Sequence, residues 1–246
     1  MTQALQFVCM KWGTKYPASD VNRLYRAVRR HTPGEIRFYC VTDDAAGIEP
    51  GVITLPIPHL PVLGDAVLNR GWRKLTLFSP EMTAIHGPTL FLDLDMVIVD
   101  SLAPFFAAGH AFCVIKDYKL VRYRNRWSGN TSVFIYHAGR DYGVYRRLHE
   151  LGAEVPRRYR NEQEFLSDCM RILGELRYWP RNWCPSYKYQ CVPVFPFSLW
   201  QAPRMPPGAK VLVFHGRPKP EEAVRGEGAK WYRPMKPAPW LAGYLG

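Results

Sequence analysis

The sequence predicts an α/β protein built on a mixed, mostly parallel sheet flanked by helices. Three observations carry this. Within the first 45 residues an apolar run, an amphipathic helical pattern and a second apolar run follow one another, the order of a parallel strand–helix–strand unit. A long β-rich run, TLFLDLDMVIV at 89–99, has the composition of a strand buried on both faces. The chain has 246 residues, 47% hydrophobic and 22% charged, which suits a globular domain long enough to bury a core.

Each element follows from its own pattern. Residues 5–10 (LQFVCM) read as a first, buried strand. Asp20 stands as an N-cap before VNRLYRAVRR, where Val21, Leu24, Tyr25 and Val28 recur at helical spacing. Residues 35–42 (EIRFYCVT) and 52–57 (VITLPI) read as the second and third strands. Residues 70–85 (RGWRKLTLFSPEMTAI) read mainly as helix, interrupted by Pro80. The run 89–99 is predicted as one strand, with further strands at 111–116 (AFCVIK) and 132–136 (SVFIY). Helices are predicted at 140–151 and 161–173. The second carries Asn161 and Glu164 at capping-box spacing, with Phe165, Leu166, Cys169, Met170 and Leu173 on its apolar face. The last third is rich in Pro, Trp and Tyr and holds a short strand at 210–214 (KVLVF). There is no internal repeat. A single domain over 1–225, followed by a Pro/Gly/Trp-rich extension over 226–246, is the simplest organisation.

Composition narrows the function. The longest apolar runs are about ten residues, too short to span a bilayer. The N-terminal MTQALQFVCMKWGTKYP has no basic leader and no small-residue cleavage site, so a cytoplasmic protein is expected. The six cysteines form no CxxC pair, which argues against a zinc ribbon or a thioredoxin-like site. Cys9, Cys40 and Cys113 lie in strand-like runs as small hydrophobes. Lys and Arg number 33 against 21 Asp and Glu, a net charge of +12 that draws in anions. The basic residues cluster at Arg23, Arg26, Arg29 and Arg30, at Arg122, Arg124 and Arg126, and at Arg157, Arg158 and Arg160. Each cluster reads equally as a solvated face. No RNP, zinc-finger or basic-zipper signature is present, and no nucleic acid is expected as partner.

Two segments carry chemistry. Asp93 and Asp95 interrupt the run 89–99, and residues two apart on a strand point to one side. Two such carboxylates are stable only beside a cation or strong donors. Mg²⁺ or Mn²⁺ suits oxygen ligands next to phosphates. A turn-capping Asp pair is the plain alternative. At 211–220, VLVFHGRPKP runs from a strand into His215 and Gly216, then Lys219. His suits Mn²⁺-type ions, Gly permits close backbone approach, and Lys is a natural phosphate partner. Taken alone, the segment reads better as a strand-to-turn junction with a surface lysine.

Four segments occur in a familiar order: FLDLD (91–95), SGNTSVFIY (128–136), NEQEF (161–165) and FHGRPKP (214–220). Over roughly 5–220 the chain resembles glycosyltransferases of the GT-A fold, most closely the glycogenin and bacterial lipopolysaccharide glycosyltransferase group (family 8). It departs from that group in a compressed HG, where the group has HxxG, and in Glu221, where a Trp follows KP. The resemblance implies a metal-dependent transferase moving a sugar from a nucleotide-sugar, a UDP-sugar first of all, to a saccharide or lipid-linked saccharide with retention at the anomeric carbon. It implies Asp93, Asp95 and His215 as ligands of Mn²⁺ or Mg²⁺. Lys219 and the Gly216 backbone would contact the diphosphate. Lys11, Trp12, Gly13 and Thr14, with Asp43 and Asp44 at the end of the second strand, would hold the base and ribose. Arg73 and Lys74 would lie near the sugar-phosphate, and Asn130 at the sugar. Glu162 and Gln163 would flank the acceptor and the reacting carbon, which with Lys219 makes them the catalytic candidates. An inverting enzyme would need a base such as Glu162 or Asp168. In the aromatic segment 179–189, Trp183, Tyr187 and Lys188 are acceptor-side candidates, with core packing as the alternative. The Arg clusters preceding SGNTS and NEQEF point to an anionic acceptor surface, and so to peripheral contact with an anionic membrane at its inner face.

Two other readings stay open on the residues alone. A nucleotidyltransferase would carry a Gly-rich phosphate loop after the first strand, where only Gly13 is present. A non-enzymatic basic module for nucleic acid or anionic glycan would make the Asp pair structural.

Overall fold

A computed structural model describes residues 4–60, 71–118, 126–229 and 233–245. Its main sheet has six strands in the order β3-β2-β1-β4-β7-β6. These are β1 (Leu5–Lys11), β2 (Ile36–Thr42), β3 (Ile53–Pro56), β4 (Gly87–Leu92), β6 (Phe112–Lys116) and β7 (Gly129–Ala138). Strands β1 to β4 pair in parallel, and β7 runs antiparallel to both β4 and β6. The expected mixed, mostly parallel α/β sheet is therefore present. A two-stranded ribbon joins β5 (Val97–Ile98) to β8 (Val211–Leu212).

Period-two alternation sorts the side chains of these strands to two faces. Val8, Met10, Tyr39, Val41, Phe91, Val114 and Phe134 enter one core. It is covered by a 3-10 helix (Trp72–Phe78), α3 (Val144–Leu151) and α5 (Glu162–Ile172). Phe7, Cys9, Phe38, Cys40, Leu90, Leu92 and Ile135 enter the other, beneath α1 (Ala18–His31) and α2 (Ala103–Ala107). All six cysteines are buried and unpaired with one another, so they pack as small hydrophobes.

Several elements differ from their sequence patterns. Helix α1 starts at Ala18 with Pro17 at its N-cap, so Asp20 lies in the first turn and pairs with Arg23 at 3.1 Å. Of the helix expected over 70–85, the described residues form one 3-10 helix, Trp72–Phe78, which ends before Pro80. The strand expected over 89–99 breaks after Leu92: Asp93–Met96 form a turn, with the Met96 N–H donating to the Asp93 carbonyl at 3.4 Å. Asp93 and Asp95 thus sit on a turn rather than on one side of a strand. The helix expected from 140 begins at Val144, and the late strand shortens to Val211–Leu212. Asn161 does cap α5, accepting from the Glu164 N–H at 3.1 Å, but the Glu164 carboxylate turns to the Arg160 N–H at 2.9 Å.

Candidate active site

Parallel pairing brings the C-terminal ends of β1, β2 and β4 to one edge of the sheet. Because β7 is antiparallel, its N-terminal end lies at that same edge, and the Asp93 N–H donates to the Ser132 carbonyl at 2.9 Å. Ligands of open α/β sheets bind at such an edge. Here a cavity of about 580 Å³ opens there. Its walls are the loop after β1 (Trp12, Gly13, Thr14, Lys15, Tyr16), Gly71 and Lys74, the Asp93–Asp95 turn, Ser132, Glu162 and Phe214.

Lys74 is buried on the 3-10 helix, with its ammonium 2.7 Å from Asp93. It also donates to the Thr131 carbonyl at 3.3 Å. Burial pulls the Lys74 ammonium down, but the carboxylates of Asp93 and Glu162 outweigh it and hold it above the ordinary lysine value. Burial raises the Asp93 carboxyl; Lys74 opposes this and the Asp95 charge adds to it. Glu162 is also raised by burial, against Lys74. Gly71 is required beside it. Its φ is +95°, and a Cβ would come within 3.1 Å of the Glu162 carboxylate.

Asp95 faces a second lysine from far along the chain. Tyr16 donates its hydroxyl to Asp95 at 2.9 Å, and Lys219 reaches Asp95 at 3.5 Å and the Tyr16 oxygen at 3.4 Å. Burial, then the Asp95 charge, pushes the Tyr16 hydroxyl up, so it stays a donor. Lys219 is the N-cap of α6 (Pro220–Arg225), and its own N–H donates to Glu222 at 2.8 Å. Arg23 of α1 braces the turn by donating to the Leu94 carbonyl at 3.2 Å, and it pairs with Glu221. The Glu221 that replaces the expected Trp therefore has a partner. Gly216 takes φ +70° with open space where a Cβ would lie.

Lys11, Asp43 and Asp44 brace the strand ends and do not line the cavity. The buried Lys11 ammonium donates to the Asp44 carbonyl at 3.0 Å, and Asp43 accepts from the Gly13 N–H at 2.9 Å. Backbone bonding at Ala46 and then Lys11 hold the exposed Asp44 carboxyl below the usual range. Arg73 is half-buried beside Lys74 but is not a wall of the cavity.

A second cleft of about 510 Å³ contains Asn130, Gln163, Lys188 and His215, with Asp117, Tyr118, Ser128, Arg160 and Tyr189. The Gln163 side-chain Oε1 accepts from the Thr131 N–H at 3.0 Å, and the Asn130 Oδ1 accepts from the Ser132 N–H at 3.0 Å. His215 packs edge-on to Tyr118 at 4.9 Å, and its carbonyl accepts from Lys188 at 3.1 Å. Among the described residues no three His, Cys, Asp or Glu side chains gather into a ready-made metal cluster, so His215 is not assembled with Asp93 and Asp95. The donor chemistry around the larger cavity nevertheless suits a hard dication. Asp93, Asp95 and Glu162 all line that cavity, Asp93 paired with Lys74 and Asp95 with Lys219, with the exposed Lys15 at the rim. A divalent cation would offset the burial of the Asp93 carboxylate and its repulsion with Asp95.

Other candidates go elsewhere. Tyr187 is core, stacked on Phe214 at 4.7 Å, and Trp183 packs against Phe105 and Trp179, so neither offers a sugar platform. Asp168 is bound by Arg147, Tyr159 and Arg171, a structural network rather than a base. Arg157 and Arg160 pair with Glu154 and Glu164, while Arg122 and Arg124 lie outside the described residues. The sequence singles out neither Tyr16 nor Tyr118, and it does not pick Tyr189 out of the aromatic segment 179–189. Lone aromatics in loops carry no periodic signal, although Tyr16 falls in the loop already singled out after β1.

No protein-family model and no curated protein matches the chain. Solved structures do. The galactosyltransferase LgtC, solved with donor and acceptor sugar analogues, superposes with a TM-score of 0.57 at 17% identity, over 98% of this chain and 96% of LgtC. The glycosyltransferase GlyE of Streptococcus pneumoniae TIGR4 gives 0.57 at 12% identity, over 88% of this chain and 56% of GlyE. Mouse xyloside xylosyltransferase 1 gives 0.57 at 12% identity, over 88% of this chain and 98% of that enzyme. At such identities the shared property is the path of the backbone, and by that measure the protein has the GT-A glycosyltransferase fold.

Proposed function

We propose that this chain is a metal-dependent glycosyltransferase, moving a sugar from a UDP-sugar to a saccharide or lipid-linked saccharide with retention, in the cytoplasm and in peripheral contact with an anionic membrane. One observation carries the reading. Two lysine–carboxylate pairs, Lys74–Asp93 and Lys219–Asp95, converge from distant parts of the sequence on one cavity at the strand ends.

Asp93 and Asp95 would hold Mn²⁺ or Mg²⁺, with His215 as the candidate third ligand. When bound, the ion supplies positive charge to the donor diphosphate. The protein supplies the rest. The loop Trp12–Thr14 borders the nucleotide, and Asp43 and Lys11 fix that loop and the end of β2. As the bond from the anomeric carbon to the phosphate oxygen breaks, its electron pair leaves with the nucleoside diphosphate. Lys219 and Lys74, already aligned, stabilise that growing charge. The acceptor hydroxyl bonds to the same carbon and passes its proton to the departing phosphate, so no strong base is needed. Gln163 is oriented by Thr131 in the acceptor-side cleft, which Asn130 also lines.

Titration calorimetry of UDP with and without Mn²⁺ tests this, followed by a screen of UDP-sugars for Mn²⁺-dependent hydrolysis. Metal-dependent UDP binding that disappears in Asp95→Ala is expected. Wild-type binding indifferent to Mn²⁺, or an Asp95→Ala variant that binds like wild type, would refute the assignment.

A further inference from the structure

Five large apolar side chains stand exposed in one short loop: Val194 at 65%, Phe195 at 63%, Phe197 at 48%, Leu199 at 46% and Trp200 at 59%. The loop is built rather than loose. Its neck is closed by the Arg204 N–H donating to the Cys191 carbonyl at 3.0 Å, and Val192 is buried beneath it. Within it, the Ser198 N–H donates to the Val194 carbonyl at 3.3 Å and the Trp200 N–H to the Phe197 carbonyl at 3.2 Å. Ser198 is turned inward and buried, so its neighbours are turned outward. The rings of Phe197 and Trp200 meet edge-on at 5.8 Å, outside the protein. A fold that spends ordered backbone to present aromatic side chains to water implies a partner that covers them.

Charge selects the partner. From Leu176 to Pro220 the chain contains no Asp or Glu, but it holds Arg177, Arg181, Lys188, Arg204, Lys210, Arg217 and Lys219; of these, Lys210, Arg217 and Lys219 pair with Asp100, Glu222 and Asp95 from outside the segment. Arg181 and Arg204 are exposed. An exposed loop of Phe, Leu and Trp with Arg204 at its neck, and no acidic residue in the sequence on either side, matches the boundary of an anionic bilayer, where aromatic rings settle at headgroup depth and basic side chains meet lipid phosphates. It is also far smaller than the roughly 20–30 residues a side of an ordinary protein interface. No described helix is long and apolar enough to cross a membrane, so the contact would be peripheral.

We infer that the loop 192–201 is a membrane-surface anchor that inserts Phe195, Phe197 and Trp200 into the interface of an anionic lipid bilayer. The inference builds on the peripheral contact in the proposed function and moves it from the Arg clusters to this loop. The loop follows directly on the helical turn Tyr187–Cys191, whose Lys188 and Tyr189 border the acceptor-side cleft. Docking would set that cleft beside the lipid surface.

Vesicle flotation of the full chain tests it without any transfer step. Binding to phosphatidylcholine–phosphatidylglycerol vesicles is expected, with little to phosphatidylcholine alone, and added salt should weaken it. Replacing Phe195, Phe197 and Trp200 by Ser should lower partitioning by about tenfold or more at an unchanged melting temperature. Arg181→Glu with Arg204→Glu should lower it as well. If the triple variant misfolds, brominated lipid should quench wild-type tryptophan emission more than that of Trp200→Phe. An unbound wild type, variants that bind equally well, equal quenching, or a dimer in size exclusion that needs this loop would each overturn the inference. Metal-dependent UDP binding, measured separately, reports on the transferase reading alone.

Discussion

Lys219 is the side chain through which two distant segments meet. It reaches Asp95 at 3.5 Å, and Tyr16 holds both groups in place. A preorganised charge aimed at a leaving diphosphate contributes roughly 3–4 kcal/mol in the transition state. Lys219→Ala should therefore lower kcat/KM by about two to three orders of magnitude. The Lys219 side chain is 35% exposed, so its pairing with Asp95 is solvent-screened, and stability should change by less than about 1 kcal/mol. Steady-state kinetics and a denaturant melt check both halves, and near-normal activity would place Lys219 outside the chemistry. Gly71 makes the opposite test, of shape rather than charge. Ala at φ +95° costs about 1–2 kcal/mol, and its Cβ would press on the Glu162 carboxylate. Gly71→Ala should lower both melting temperature and kcat; a variant equal to wild type in both would remove Glu162 from the site.

At the scale of elements, the C-terminal 3-10 helix (Pro239–Tyr244) docks on the end of α1, where His31 stacks on Tyr244 at 6.4 Å between centroids. Burial, then Arg30, lowers the His31 pKa, and Asp100 only partly offsets this. The fold thus prefers the neutral ring. The unfolded chain binds the extra proton first, so this contribution is intact above the ordinary value of 6.5 and fades as pH falls below it. Thermal melts should show stability declining between about pH 7 and pH 5, with a shallower decline in His31→Gln. An identical decline would locate the titration elsewhere. The elements themselves were unequally legible. Strands β1, β2 and β6 could be read because each is an apolar run ended by polar residues. The turn at Asp93–Met96 could not, because Met96, Val97 and Ile98 continue the apolar pattern into a second sheet. The DxD and FHGRPKP segments stand out in the sequence as candidates for chemistry, whereas their meeting at Tyr16 depends on α1 and the β1 loop. His215 was legible as a ligand type but not by position, since the packing of Tyr118 and Lys188 decides where it points.

At the scale of the molecule, three apolar clusters share their walls. In the β5–β8 ribbon, Ile98, Val211 and Val213 face the core under α1, while Val97, Leu212 and Phe214 face the third cluster. That cluster is closed by Ala223 of α6 and by Ala238 and Leu241 of the C-terminal segment, all fully buried. The Ala238 N–H donates to the Ala223 carbonyl at 3.0 Å, and Trp240 donates its ring N–H to the Pro203 carbonyl at 2.9 Å. The segment beyond residue 226 is therefore joined through α6 to the residue that caps it, Lys219. Removing a buried leucine side chain typically costs about 2–5 kcal/mol, and here the loss falls on a wall common to ribbon and helix. We predict that Leu241→Ala destabilises the protein by that amount within a single denaturant transition of unchanged slope. Its activity should fall as well, because α6 would no longer hold Lys219 in place. The opposite result is equally plain to read: an early, separate transition with a wild-type main melt and full activity. It would mean that the segment folds onto the domain as an independent appendage and does not help to set the active site.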